Sequence, residues 1–269
     1  MTGHRVSFAI ALSAAIVADS LATHYAWTVR MPAAQLVFWA LAFSQVSLLG
    51  IWLGIGTSHG VLRAAGVAVG IAIWTRIIAR SSPGLPENWT MMFVLQTAAT
   101  ALPLIIVQLA GVQLTAASAE RDKPARPLAP PQFSLVQLLQ WTTLVALLMA
   151  AVRFVGFPET GIPLLAVLAG GFSLLSLLAV AAMLRRAQPA WGLGWLCLAT
   201  ILVGCAQGLL LSWLRGDLYT HQRTRAMEYH TQLAVAQTLL VVAALWLVRW
   251  AGFRLTRLAR VASADGHHT

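Results

Sequence analysis

Charge is what this sequence has least of. Only 10 % of its 269 residues are Asp, Glu, Lys or Arg, against roughly a quarter in soluble domains, while 59 % are hydrophobic. Such a composition excludes an ordinary water-soluble globule. Lysine is nearly missing, since 17 of the 18 basic residues are Arg, and the basic excess over 8 acidic residues leaves a net charge of +10. There are two cysteines, Cys197 and Cys205. They lie two turns apart on one apolar stretch, about 12 Å, too far to bridge each other. Also missing are a Gly-rich phosphate loop with its Lys, a His-Glu-x-x-His pair and a Gly-x-Ser-x-Gly turn, which disfavours the motors and hydrolases built on them. Asp19 is the one carboxylate inside an apolar stretch, whereas a proton-coupled transporter ordinarily carries several ionisable groups there.

What is abundant is apolar runs. About 20 helical residues cross ~30 Å of hydrocarbon, and eight stretches are long enough: 6–27, 34–55, 61–80, 90–114, 134–155, 161–184, 190–214 and 231–250. Helices leave no unpaired backbone in lipid, so the expected fold is all-α, a polytopic transmembrane bundle of about eight spans. The third span is the weakest, because its uninterrupted apolar part, Ala64 to Thr75, is 12 residues long. It crosses only if Arg63 and Arg76 reach opposite interfaces. The first span also reads as a secretory leader, with Arg5, an apolar run from Val6 to Ala18 and the small-residue ending Ser20-Leu21-Ala22. Apolar helix resuming toward Tyr25 and Trp27 favours its retention as a span.

Basic residues orient these spans. With the N-terminus inside, the cytoplasmic segments carry 11 Lys and Arg and the outer segments 7, an N-in and C-in arrangement. Trp27, Trp39, Trp74, Trp89 and Trp213 then fall near outer ends, and Trp52, Trp191, Trp195, Trp246 and Trp250 near inner ends, as an aromatic belt at both interfaces. The proline-rich run Glu120 to Pro131 lands on the cytoplasmic side and divides the chain 4+4. The blocks are 1–116 and 133–250, joined by a Pro/Arg-rich linker over 117–132 and followed by a basic tail over 251–269. No residue-level repeat relates the blocks in this reading. The tail alternates Arg with Leu255, Leu258 and Val261 from Arg254 to Arg260, which predicts an amphipathic segment on the inner leaflet. Its expected partner is the bilayer with its anionic lipids, not nucleic acid. Gly50 and Gly54, Gly66 and Gly70, and Gly204 and Gly208 have small-xxx-small spacing, expected to pack neighbouring spans closely.

The run QFSLVQLLQWTT, residues 132–143, enters a span from the Pro/Arg-rich linker and resembles a recurrent element of uncharacterised planctomycete multi-pass membrane proteins. FSQVSLLGIWLGIG, residues 43–56, and GFRLTR, residues 252–257, are similar to stretches of the same set. That element often has a basic residue where this chain has Val136. The resemblance implies a bacterial inner-membrane location and carries no activity with it.

Polar residues within or beside spans are the candidate site residues. Asp19 and Arg76 lie at compatible depths and form the expected intramembrane pair that fixes two helices, with Arg80 on the face of Arg76. Gln45, Gln96, Gln137, Gln140, Gln207 and Gln237 are expected to hydrogen-bond between helices. In RGDLYTHQRTRAMEYH, residues 215–230, a helix continuing into the last span would put Asp217, His221, Thr224 and Glu228 on one face. Asp217, His221 and Glu228 could then hold a divalent metal with His24 or His230, although acids and histidines at such spacing are also ordinary on a solvated helix. No cofactor is expected, and no catalytic residue is assigned.

Three functions stay open: a non-catalytic membrane scaffold or accessory protein, a small-solute transporter or channel, and a membrane enzyme using the outer set His24, Arg76, Arg80, Arg215, His221 and His230. Catalysis is the less expected. The charge count makes sidedness testable. Single cysteines placed in 119–131 or 254–269, in a background lacking Cys197 and Cys205, should react with impermeant maleimide only from the cytoplasmic side. Those placed in 81–88 or 216–229 should react only from outside, and labelling of both groups from one face would overturn the span count.

Overall fold

The computed structural model describes residues 32–56, 60–81, 86–110, 112–116, 162–184, 189–216 and 219–257. Their helices are α1 (Pro32–Ile55), α2 (Gly60–Ser81), α3 (Pro86–Leu109), α4 (Ile162–Leu184), α5 (Pro189–Leu214) and α6 (Thr220–Trp250), with strands β1 (Val112–Ala116) after α3 and β2 (Phe253–Arg257) after α6. Each of the six helices is long and apolar enough to cross a membrane. The expected spans 6–27 and 134–155, the linker and most of the tail lie outside the described residues.

The helices form a ring of four with two flankers. α1, α3, α4 and α6 pack in that cyclic order, α2 lies against α1 and α3, and α5 lies against α4 and α6. One apolar cluster, around Phe38, Phe43, Trp74, Phe93, Leu165, Phe172 and Leu233, fills the end where α1, α3, α4 and α6 begin. A second, around Ile55, Leu104, Leu184, Leu196 and Leu245, fills the end where those helices stop, and Leu114 and Leu255 of the strands cover it. We call this second end the ribbon end.

Two expectations fail at the ribbon end. Residues 112–114 were expected to complete a span and 254–257 to open an amphipathic segment; instead β1 and β2 form an antiparallel ribbon, pairing Leu114 with Leu255 and Ala116 with Phe253, while 258–260 lie outside the described residues. The reason is a glycine just beyond the helix. Gly252 adopts φ +89° and donates its N–H to Arg249 O at 2.9 Å, a left-handed helix end that turns the chain out of α6. The following Phe-Arg-Leu-Thr then runs extended and satisfies its backbone against β1.

Arginines close two helices at this end. Arg63 does not reach toward open water but is buried, donating from Nη1 to Leu53 O at 2.8 Å. Arg249 Nη1 donates to Met183 O at 2.6 Å. These carbonyls belong to the last turns of α1 and α4, which lack intrahelical partners and carry the negative end of the helix dipole.

At the ribbon end Trp52, Trp191, Trp195, Trp246 and Trp250 are all exposed, as a belt there requires. At the other end Trp213 is exposed, but Trp39, Trp74 and Trp89 turn inward. Trp39 stacks on Trp89 with centroids 4.7 Å apart and on Phe43 at 5.9 Å, while Trp74 lies 6.2 Å from Phe38. Depth along a helix is legible from sequence; rotation about its axis decides which way the ring faces.

The structure also exposes a repeat that no single sequence register shows. α1-α2-α3-β1 and α4-α5-α6-β2 have the same order and run in the same directions. Aligned this way, FSQVSLL (43–49) on α1 matches FSLLSLL (172–178) on α4, and GVAVGIAIWTR (66–76) on α2 matches GCAQGLLLSWLR (204–215) on α5. Gln96-Thr97 matches Gln237-Thr238, and AGVQLT (110–115) matches AGFRLT (251–256). The spacing between matched motifs changes from helix to helix, so no single shift aligns them all. Equivalent residues meet each other: Leu114 pairs with Leu255 at the centre of the ribbon, and Phe43 stacks on Phe172 at 4.7 Å. Self-pairing of this kind defines an approximate two-fold axis along the bundle.

All three glycine pairs face neighbouring helices within the chain. A Cβ on Gly50 would lie 2.9 Å from Thr100 Cβ, one on Gly70 would lie 2.6 Å from Leu49 Cδ1, and one on Gly204 would lie 2.6 Å from Thr231 Cα. A Cβ on Gly208 would run into the backbone of Met227, which cannot move aside as a side chain can. Gly194, on the same helix, has nothing within 4 Å of such an atom. Thermal unfolding in detergent should therefore show Gly208→Val destabilised by at least ~2 kcal/mol. Gly194→Ala should melt at or slightly above the parent temperature, gaining up to ~1 kcal/mol of helix propensity.

Candidate functional site

Midway along the ring, polar side chains from all four helices meet. Gln96 of α3 donates from Nε2 to Phe43 O and to Ser47 Oγ on α1, both at 2.8 Å. Gln237 of α6 donates from Nε2 to the same Ser47 Oγ at 3.2 Å and to Phe172 O on α4 at 3.4 Å. The main-chain carbonyl of Gln96 accepts the hydroxyls of Ser173 at 3.0 Å and Thr100 at 2.8 Å. Ser47, Gln96 and Gln237 are each 0 % exposed. To one side, Gln207 of α5 donates from Nε2 to Val167 O and Leu168 O, both at 3.2 Å. It reaches them because α4 has Gly171 there, where any Cβ would meet the amide.

A carbonyl can only accept, so each amide nitrogen is held toward its backbone partner and each amide oxygen points elsewhere. Gln96 Oε1, Gln237 Oε1 and Gln207 Oε1 are all buried without a donor, as is Thr97 Oγ1. An unmade bond of this kind costs about 1–3 kcal/mol per group. Two turns before the matched glutamines, at equivalent positions, Trp89 Nε1 and His230 Nδ1 are also buried and unpaired. Two pairs of the unsatisfied groups, Gln96 with Gln237 and Trp89 with His230, thus fall at corresponding places in the two halves.

The expected interhelical role holds for Gln96, Gln207 and Gln237; Gln137 and Gln140 lie outside the described residues. Ser47 was not foreseen, although a Ser at the same place in two Phe-Ser-x-x-Ser-Leu-Leu runs was the available signal.

The other candidates are described only in part. Asp19, His24 and Asp217 lie outside the described residues, so the Asp19 and Arg76 pair is not placed; Arg76 itself is exposed on α2. Tyr219 is extended, φ −89° and ψ 133°, and α6 begins at Thr220, so no single helical face runs on from position 217. His221 and Glu228 are both exposed and stand about 10 Å apart along α6. His221 lies against the Tyr219 ring at 5.7 Å and Glu228 accepts from Gln232 Nε2 at 3.4 Å. Among the described residues no three His, Cys, Asp or Glu form a metal-binding group. Arg76 and Arg80 sit on α2, against α1 and α3, while Arg215, His221 and His230 sit on the α5–α6 side. The described members of the outer set are split across the bundle.

Serine substitutions separate the two halves of the central node. Ser47→Ala removes the acceptor shared by two amides and should cost about 1–2 kcal/mol in detergent unfolding. Ser176→Ala removes a hydroxyl that bonds Phe172 O of its own helix at 2.8 Å and should cost less than ~0.5 kcal/mol. Equal losses at the two positions would show that Ser47 does not join the helices.

The chain matches no protein-family model, and no curated protein or solved structure is significantly similar to it.

Proposed function

We infer that this multi-pass membrane protein acts as a non-catalytic scaffold or accessory protein, with eight spans arranged 4+4 and both termini inside. The observation that carries the reading is the closed centre. Ser47, Gln96 and Gln237 are fully buried, and the N–H groups of the two glutamine amides brace four helices against one another, an arrangement that fixes a shape rather than admits a substrate. Two facts support the 4+4 count. Leu109 is the end of α3, at the ribbon end, and Ile162 is the start of α4, at the other end, which is the placement that the proposed span 134–155 requires. The matched three-helix units run in the same direction, as repeats of four spans each would. The 11 to 7 basic count favours the ribbon end as cytoplasmic, where the basic tail would meet anionic lipid. The likeness of residues 43–56, 132–143 and 252–257 to planctomycete membrane proteins supports a bacterial inner membrane.

A second reading, a small-solute transporter or channel, is favoured by the repeat itself, since binding sites at mid-membrane between repeats are a recurrent transporter arrangement. One experiment separates the two. Liposomes containing only this chain should shrink and recover in glycerol or urea, and hold potassium, sodium and proton gradients, at the rate of protein-free liposomes. Flux at least ~10-fold above that baseline, abolished by Gln237→Leu in a variant that still folds, would replace the scaffold with a transporter.

A further inference from the structure

The unpaired oxygens of Gln96 and Gln237 are related by the internal repeat, and that relation points to a ligand. Both glutamines precede a threonine in the matched helices α3 and α6, both are fully buried, and both have the amide nitrogen held by the carbonyl of a matched phenylalanine. Their nitrogens share Ser47 Oγ, so the amides are neighbours across the approximate two-fold axis. On that axis lie the Phe43 and Phe172 rings at mid-depth and the Leu114 and Leu255 pair at the ribbon end. Two repeat-related acceptors on neighbouring amides, each lacking a donor, match a small donor with two hydrogens.

We propose that a resident water molecule sits on the approximate two-fold axis at mid-membrane, donating one hydrogen to Gln96 Oε1 and the other to Gln237 Oε1. The chemistry selects water over a metal cation. A cation stripped of its hydration shell needs charge or a full set of oxygens around it. The described acidic residues, Glu87 and Glu228, are both exposed near the bundle ends, and the node itself is neutral. Water needs only two to four polar partners, and buried unpaired carbonyls are where it is ordinarily retained. Thr97 Oγ1, buried and unpaired one residue from Gln96, is available as a further partner. Such a water belongs to the scaffold as well as to a transporter, so the inference is independent of the choice between them.

The test uses the full chain, perdeuterated with ¹⁵N-glutamine, in nanodiscs of deuterated lipid. Magnetisation transfer from water is read at the glutamine side-chain amides, with Gln96→Met and Gln237→Met assigning the two resonances. Gln96→Asn and Gln237→Asn serve if the methionine variants fail to fold. The expected result is a cross-peak of long-lived water to both Nε2 amides, unchanged when choline replaces sodium and potassium. Amides that are protected from exchange yet show no water cross-peak would overturn the proposal. So would a cross-peak to one amide alone, which removes the axial position, or amide shifts that titrate with sodium or potassium, which makes the occupant a cation.

Discussion

An amide side chain at the middle of a membrane has nowhere outside the protein to place its hydrogen bonds. Lipid tails offer no acceptor, and helices use their backbone carbonyls internally, leaving the second lone pair of a carbonyl as the nearest partner. Gln96, Gln207 and Gln237 each take that option, reaching to Phe43, to Val167 and Leu168, and to Phe172. Each such bond ties one side chain to a particular depth on a neighbouring helix. Apolar packing alone would tolerate a slide of one helix past another; these bonds would be lost by it. The helix register of the ring therefore depends on them, with the glycine contacts setting how near the helices come.

The same constraint accounts for the ends. Carbonyls in the last turn of α1 and α4 have no helical donor, and an arginine from a neighbouring helix supplies one to each, Arg63 to Leu53 and Arg249 to Met183. Beyond α3 and α6 the chain pairs with itself as β1 and β2 instead of leaving backbone unpaired at the interface. Centre, helix ends and ribbon solve one problem with three kinds of donor. A guanidinium is affordable only near the ends, where part of it can keep water, whereas the centre carries neutral amides.

Much of this was legible in the sequence, and the misses share a cause. Apolar length located α1 through α5 within about five residues and placed the end of α6, whose start at Thr220 lies 11 residues before the expected span, and the spacing of glycines and glutamines anticipated close packing and interhelical bonds. Direction around each helix was not legible. Trp39, Trp74 and Trp89 have the depth of a belt residue but face Phe38, Phe43 and one another. Arg63 was expected to reach an interface; it lies at the ribbon end and turns to a carbonyl rather than to water. The strands escaped notice because five residues of VQLTA or FRLTR carry too little alternation to outweigh an adjoining helix. The repeat escaped because its matches are short and differently spaced, and only the common helix order brings Phe43 onto Phe172 and Leu114 onto Leu255.

The halves are nevertheless not identical, and the inequality traces to Ser47. A hydroxyl oxygen has two lone pairs, and the two glutamine N–H groups occupy both. Its counterpart Ser176 receives no amide and donates back to Phe172 O at 2.8 Å. That carbonyl must then be shared, and Gln237 meets it at 3.4 Å while Gln96 meets Phe43 O at 2.8 Å. Bonds at 3.2 and 3.4 Å hold an amide less firmly than two at 2.8 Å. The α4–α6 side of the node is therefore the looser one, and any opening at the centre of the bundle would begin there, with Gln237 leaving Phe172 before Gln96 leaves Phe43.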